Sequence, residues 1–188
     1  SEFGAPRSVM SAEIQIKGGI ASPRDQVIAD LYVGLVKDSL KKEVYPAYLA
    51  GLSYDLRAVD AGIRILIEGF EDKQLLLFRL VLERFLSLKI DDAKLTTEKE
   101  SFKKNVSNLA LNKPYQQALN TLQELLISTK HEPNKLLANI DNVNTTALLK
   151  WRERVLTGVS IRAGIHGNVT DSDLTKFRNY LEETLPLL

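Results

Sequence analysis

Cysteine is absent from the 188 residues, and histidine occurs only as His131 and His166. The first absence removes disulfides, thiolate nucleophiles and thiolate zinc sites. The scarcity of histidine is almost as restrictive, because neither His131 in STKHEP nor His166 in AGIHGN has a second ligand at metal-binding spacing. No excess charge is present either. The 25 basic and 24 acidic residues leave a net charge of +1, with neither sign gathered into a long block. That excludes the electrostatic footprint of a nucleic-acid or acidic-membrane binder. No apolar run approaches the roughly 18 residues of a membrane-spanning helix, and no signal-peptide pattern occurs.

Familiar loops are missing as well. Gly18 and Gly19 are not followed by the lysine and hydroxyl residue of a phosphate loop. A calcium loop starting at Asp171 would need glycine where Lys176 stands. Gly164 to Gly167 matches GXXG formally, but it starts inside a strand pattern and holds no lysine or arginine between its glycines. The adjacent carboxylates Asp91 and Asp92, and Glu182 and Glu183, read as helix-start or solvated surface charges.

What is present is the composition of one globular domain: 44% apolar and 26% charged residues, enough to bury a sizeable core. The first seven residues, SEFGAPR, read as a cloning scar expected to be disordered, which leaves residues 8–188 as a single α+β domain, a fragment of a larger protein. Ala12 to Lys17 alternates as a half-buried strand, with Ile14 and Ile16 on one face and Glu13, Gln15 and Lys17 on the other. Tyr54, Leu56 and Ala58, the turn Asp60-Ala61-Gly62, then Ile63, Ile65 and Ile67 read as a β-hairpin whose opposite face carries Arg64 and Glu68. Val159 to His166 is a further strand, apolar at Val159, Ile161, Ala163 and Ile165, with Ser160, Arg162, Gly164 and His166 facing the other way. His166 therefore ends a strand on its polar side.

Helix signals fill the intervals. Ser22, Pro23 and Asp25 form an N-terminal cap before the stripe Val27, Leu31 and Leu35. A short helix around Pro46 to Ala50 follows. Asp72 is placed to cap a helix that is apolar over most of its circumference, from Leu75 to Leu86, which is expected to be central. Further helices are expected over about Asp92 to Ala110, Pro114 to Ile127, Pro133 to Asn139 and Asn144 to Leu156. Thr170 and Asp173 form a capping box for a last helix with the stripe Leu174, Phe177, Leu181 and Leu185. The expected architecture is a small, mainly antiparallel sheet of about four strands covered on one face by helices. Leu77, Phe78, Val81 and Phe85 are expected to pack on that face.

Several stretches, in order, carry a family resemblance: LYVGLVKDSL, YLAGLSYDL (Tyr48 to Leu56), GFEDKQ (Gly69 to Gln74) before an apolar helix, IDD (Ile90 to Asp92), KPYQQA and HGNVT (His166 to Thr170). Together they resemble the insulinase/pitrilysin family of zinc metallopeptidases, and most of all its third, middle domain. The resemblance implies that Gly51, Tyr54, Gly69, Lys73, Gly167 and Asn168 are structural positions. It implies no catalytic and no metal-binding residue in this chain, because the family's inverted His-x-x-Glu-His zinc motif belongs to the first domain. Zinc is expected in the parent enzyme only, and this chain alone is expected to be inactive.

The same resemblance implies a non-catalytic domain of a zinc metalloendopeptidase that helps to form the C-terminal half of a closed peptide-substrate chamber. The alternative is a protein-interaction module from a proteolytically inactive family member. Glu13, Gln15, Lys17, Arg64, Glu68, Ser160, Arg162 and His166, all on one sheet face, are the candidate chamber-lining residues. Expected partners are the other domains and the peptide substrates of the parent, with neither nucleic acid nor membrane. Strand sequence that family domains carry upstream of the position of Glu13 is missing by this resemblance, so the sheet is expected to have an unprotected edge open to self-association.

Overall fold

The computed structural model describes residues 7–70, 73–127 and 130–186. Four strands form one antiparallel sheet in the order β2-β3-β1-β4: β1 Arg7–Ile16, β2 Ser53–Val59, β3 Gly62–Phe70 and β4 Val159–Gly167. Among the described residues, eight α-helices and a 3₁₀ turn at Leu109–Leu111 complete the fold: α1 Pro23–Leu40, α2 Tyr45–Leu49, α3 Gln74–Ser87, α4 Asp92–Asn108, α5 Pro114–Leu126, α6 Pro133–Ile140, α7 Thr145–Val155 and α8 Asp171–Thr184. This is the α+β architecture expected from the periodicities.

The first strand departs from expectation in a way that changes the sheet. It starts at Arg7 and runs ahead of Glu13, and it lies between β3 and β4, so it is no edge. Ser8, Met10 and Ala12 continue the buried alternation of Ile14 and Ile16. Serine and alanine carry little hydrophobic signal, which hides this half of the strand from periodicity. The outer strands are β2 and β4.

Ser8 shows why small residues are needed there. It pairs with Gly69 on one side and Gly167 on the other. A Cβ at Gly167 (φ 129°) would stand 2.5 Å from Arg7 O, and one at Gly69 (φ 136°) would stand 2.4 Å from Gly51 O. Both glycines are structural positions, fixed by backbone approach. The buried Ser8 hydroxyl donates to Gln74 Oε1 (2.9 Å), and Gln74 Nε2 donates to Ser8 O (2.6 Å) and Gly69 O (3.0 Å). That amide ties the start of α3 to β1 and β3.

The inner sheet face presents Met10, Ala12, Ile14, Ile16, Leu56, Ile63, Ile65, Ile67 and Val159, all buried. Leu77, Phe78, Val81 and Phe85 of α3 belong to the same core. Phe78 meets Phe177 of α8 edge-on at 4.9 Å, and Phe85 meets Tyr32 of α1 at 5.2 Å. The helix at the centre, however, is α1. It buries Val27, Ile28, Ala29, Leu31, Tyr32, Val33, Leu35, Val36 and Leu40 and contacts α3, α4, α6, α7 and β2. On α3, Leu76 is 64% exposed and Leu75, Leu80 and Leu86 are only partly covered. Leucine is a good helix former as well as a core residue, so leucine all round α3 overstated its burial.

The caps follow the sequence. Ser22 Oγ accepts from Asp25 N (3.0 Å), and Asn144 Oδ1 accepts from Ala147 N (2.9 Å). Asp91 Oδ1 accepts from Ala93 N (2.9 Å). Thr170 and Asp173 form the reciprocal capping box. Asp72, the expected cap of α3, lies outside the described residues.

Candidate functional site

Strand pairing brings the candidate residues onto the face of the sheet opposite the helices. Four transverse rows can be read from the register: Ser53–Glu68–Val9–His166, Asp55–Leu66–Ser11–Gly164, Arg57–Arg64–Glu13–Arg162 and Val59–Gly62–Gln15–Ser160. Glu13, Gln15, Arg64, Glu68, Ser160, Arg162 and His166 all share this face. Lys17 does not join them, because β1 ends at Ile16 and Lys17 is an exposed turn residue.

The third row is the most charged, with three arginines around one carboxylate. Arg64 donates to Glu13 Oε2 at 2.9 Å, and Gln15 Nε2 donates to Glu13 Oε1 at 3.2 Å. The Arg64 hydrogen bond, then that of Gln15, with Arg162 close by, holds the Glu13 carboxyl below its usual range. Arg57 pairs with Asp55 on its own strand. Arg57 belongs to this face as well: its alternation with Leu56 and Ala58 puts it on the polar side of β2, although it is not among the candidate chamber-lining residues. The tight hairpin was the available signal, since closing Val59 on Gly62 sets Arg57 opposite Arg64.

In the first row Val9 separates His166 from Glu68. Two strand spacings put about 10 Å between them, too far for direct proton transfer. His166 is exposed and Arg7, Ser53 and Glu68 stand with it around a shallow concavity at this end of the sheet. The side chains of Glu68, Arg162 and His166 make no hydrogen bond or ion pair among the described residues. The face can therefore offer charges and donors to an extended ligand, and it assembles no acid-base pair.

The second histidine lies elsewhere. His131 precedes α6, beside Gln26 and Asp30 of α1, with its Nε2 buried and without a hydrogen-bond partner among the described residues. Asp30 is raised to about 6, chiefly by burial, against the opposing hydrogen bond of Gln26 and the charges of Lys130 and Lys37. Among the described residues no three His, Asp or Glu side chains are gathered to hold a metal ion. No helix among the described residues is long and apolar enough to cross a membrane.

Comparison with known proteins places this geometry. The model of the middle or third domain of peptidase M16 matches residues 1–139. Human insulin-degrading enzyme is 29% identical over 184 residues, covering 98% of this chain and 18% of that protein. Insulin-degrading enzyme of Drosophila melanogaster is 26% identical over 175 residues, covering 93% of this chain and 18% of that protein. Among solved structures, pitrilysin superimposes with a TM-score of 0.88 at 20% identity, over 97% of this chain and 20% of that one. A chain of Complex III2 from Candida albicans shares the fold with a TM-score of 0.65 at 17% identity, over 94% of this chain and 46% of that one. The chain thus spans about a fifth of the length of the insulin-degrading enzymes it matches. The match of the middle-domain model over residues 1–139 shows that the chain belongs to the insulinase/pitrilysin (M16) family of metallopeptidases, as the middle domain.

Proposed function

We propose that the chain is a non-catalytic domain of a zinc metalloendopeptidase and that its open sheet face lines the C-terminal half of a closed peptide chamber. The observation that carries this reading is the helix-free face itself, on which arginines, carboxylates, hydroxyls and a histidine are spread in register. Mixed charges over a wide, shallow surface make weak contacts to many peptide sequences and select none strongly. Zinc and the residues that hold it belong, on this reading, to other parts of the parent, whose other domains are the partners of this one. Helix α5 supports such docking: none of its residues is buried, and Leu119, Leu122, Leu125 and Leu126 are exposed.

The second reading, an interaction module from a proteolytically inactive relative, draws on the fold shared with the Complex III2 chain. The inverted zinc motif upstream in the parent reading frame separates the two. A functional test uses the parent enzyme with Arg64→Glu and Arg162→Glu together. A rise of about three- to tenfold in KM for peptides, with kcat little changed, is expected for lost uniform binding. An unchanged KM contradicts the chamber role.

A further inference from the structure

Among the described residues, strand β4 is bonded within the sheet only to β1, and backbone parity identifies which of its polar groups point away from it. Ile16 N–H donates to Ala61 O on the β3 side, and Val159 N–H donates to Pro186 O (2.9 Å) on the side away from β1. The ladder bonds between β1 and β4 therefore fall on Val9–His166, Ser11–Gly164, Glu13–Arg162 and Gln15–Ser160. Because strand groups alternate sides, the N–H and C=O of Ile161, Ala163 and Ile165 point outward. Their side chains all face the helix side. There, Val159, Ile161 and Ala163 line a groove of about 470 Å³ with Leu174, Phe177 and Leu181 of α8. Leu174 is 48% exposed, although it belongs to the apolar stripe of its helix.

We propose that the free edge of β4 and this groove form a docking site for an extended, apolar peptide segment of another polypeptide, added as a fifth strand. Three observations favour that occupant. The Pro186 carbonyl already accepts from Val159 as the first rung of an added strand would. Among the described residues, the charged ones lining the groove, Arg178 and Glu182, bond each other at 2.7 Å and leave no net charge for an ionic ligand. The edge also lacks the usual protections, since Val159–Gly167 holds no lysine, no proline and no inward-pointing charge. Self-pairing of two copies about Ala163 is disfavoured, because it would set Val159, with its Pro186 partner, against Gly167 of the second copy. The source of the segment, a bound peptide, rests on the chamber reading.

The test uses this 188-residue chain and a fluorescein-labelled heptapeptide of alternating valine and threonine, read by fluorescence polarisation. Saturable binding is expected. The same peptide N-methylated at alternate amides on its pairing edge should bind at least about tenfold more weakly. Ala163→Pro should weaken binding similarly while leaving the thermal melt near wild type, because that N–H serves no ladder bond. Equal binding of both peptides, or no binding at millimolar concentration, overturns the proposal whatever the proline variant does. So does a concentration-dependent dimer in sedimentation velocity that the peptide fails to disperse, which would assign the edge to a second copy. The zinc-bearing part of the parent is not in this assay, so failure here leaves the chamber reading standing.

Discussion

Buried Gln74 and half-buried Asp30 are two polar side chains with opposite consequences. Gln74 is 2% exposed and has both ends of its amide bonded, to the Ser8 hydroxyl, to Ser8 O and to Gly69 O. Gln74→Leu removes that amide but leaves the Ser8 hydroxyl and carbonyl buried without it. Chemical denaturation should show a loss of about 2 to 3 kcal/mol, and a loss near zero would mean that water replaces the amide. Asp30 runs the other way. Its folded pKa of about 6 lies above the ordinary aspartate value, so the native state binds the proton more tightly than the unfolded chain, and stability falls as pH rises through that window. Asp30→Asn should therefore stabilise the protein at pH 7 by on the order of 2 kcal/mol and lose that advantage below about pH 4. Melting curves at the two pH values check the sign. His166 belongs with neither. It is exposed, and His166→Ala should change stability by less than about 0.5 kcal/mol.

Among the elements, those with local chemistry were readable from the residues, whereas those defined by what covers them were not. The boundaries of α1, α6 and α8 follow from Ser22-Pro23, Pro133 and the Thr170-Asp173 box, because caps and prolines act within one turn. The first half of β1, Arg7 to Ser11, is not legible in the sequence, since Ser8 and Ser11 give no hydrophobic alternation, and its centrality comes from partners far along the chain. The hierarchy of helices was misjudged for the same reason. Burial of α1 over α3 depends on α4, α6 and α7 closing around it, which no window of sequence contains. The candidate face was half readable: parity gives Glu13, Arg57, Arg64 and Arg162 a common polar side, and only the register sets them in one row and adds Ser53 and Val9. The α3 contacts can be weighed directly. Phe78 is fully buried against Phe177 and Tyr180, so Phe78→Ala should cost about 3 to 5 kcal/mol as a cavity substitution. A loss below about 1 kcal/mol would show that α8 can move in to fill the space.

Among the described residues the molecule is a sheet with two unlike faces, one covered by α1, α3 and, more loosely, α8, and one bare of helices. A bare polar face is ordinary for an antiparallel sheet in water, so its use in the parent enzyme has to be measured there. The central claim is that a peptide held by the parent lies against this face. Its most direct test is a photo-crosslinking residue placed at Ser160 of the parent enzyme, with a second at Leu125 on the exposed side of α5 as the control, each irradiated with a bound, slowly cleaved peptide. The account predicts crosslinked peptide from position 160 and none from position 125. Crosslinking from 125 alone, or from neither while the peptide is bound, would contradict it.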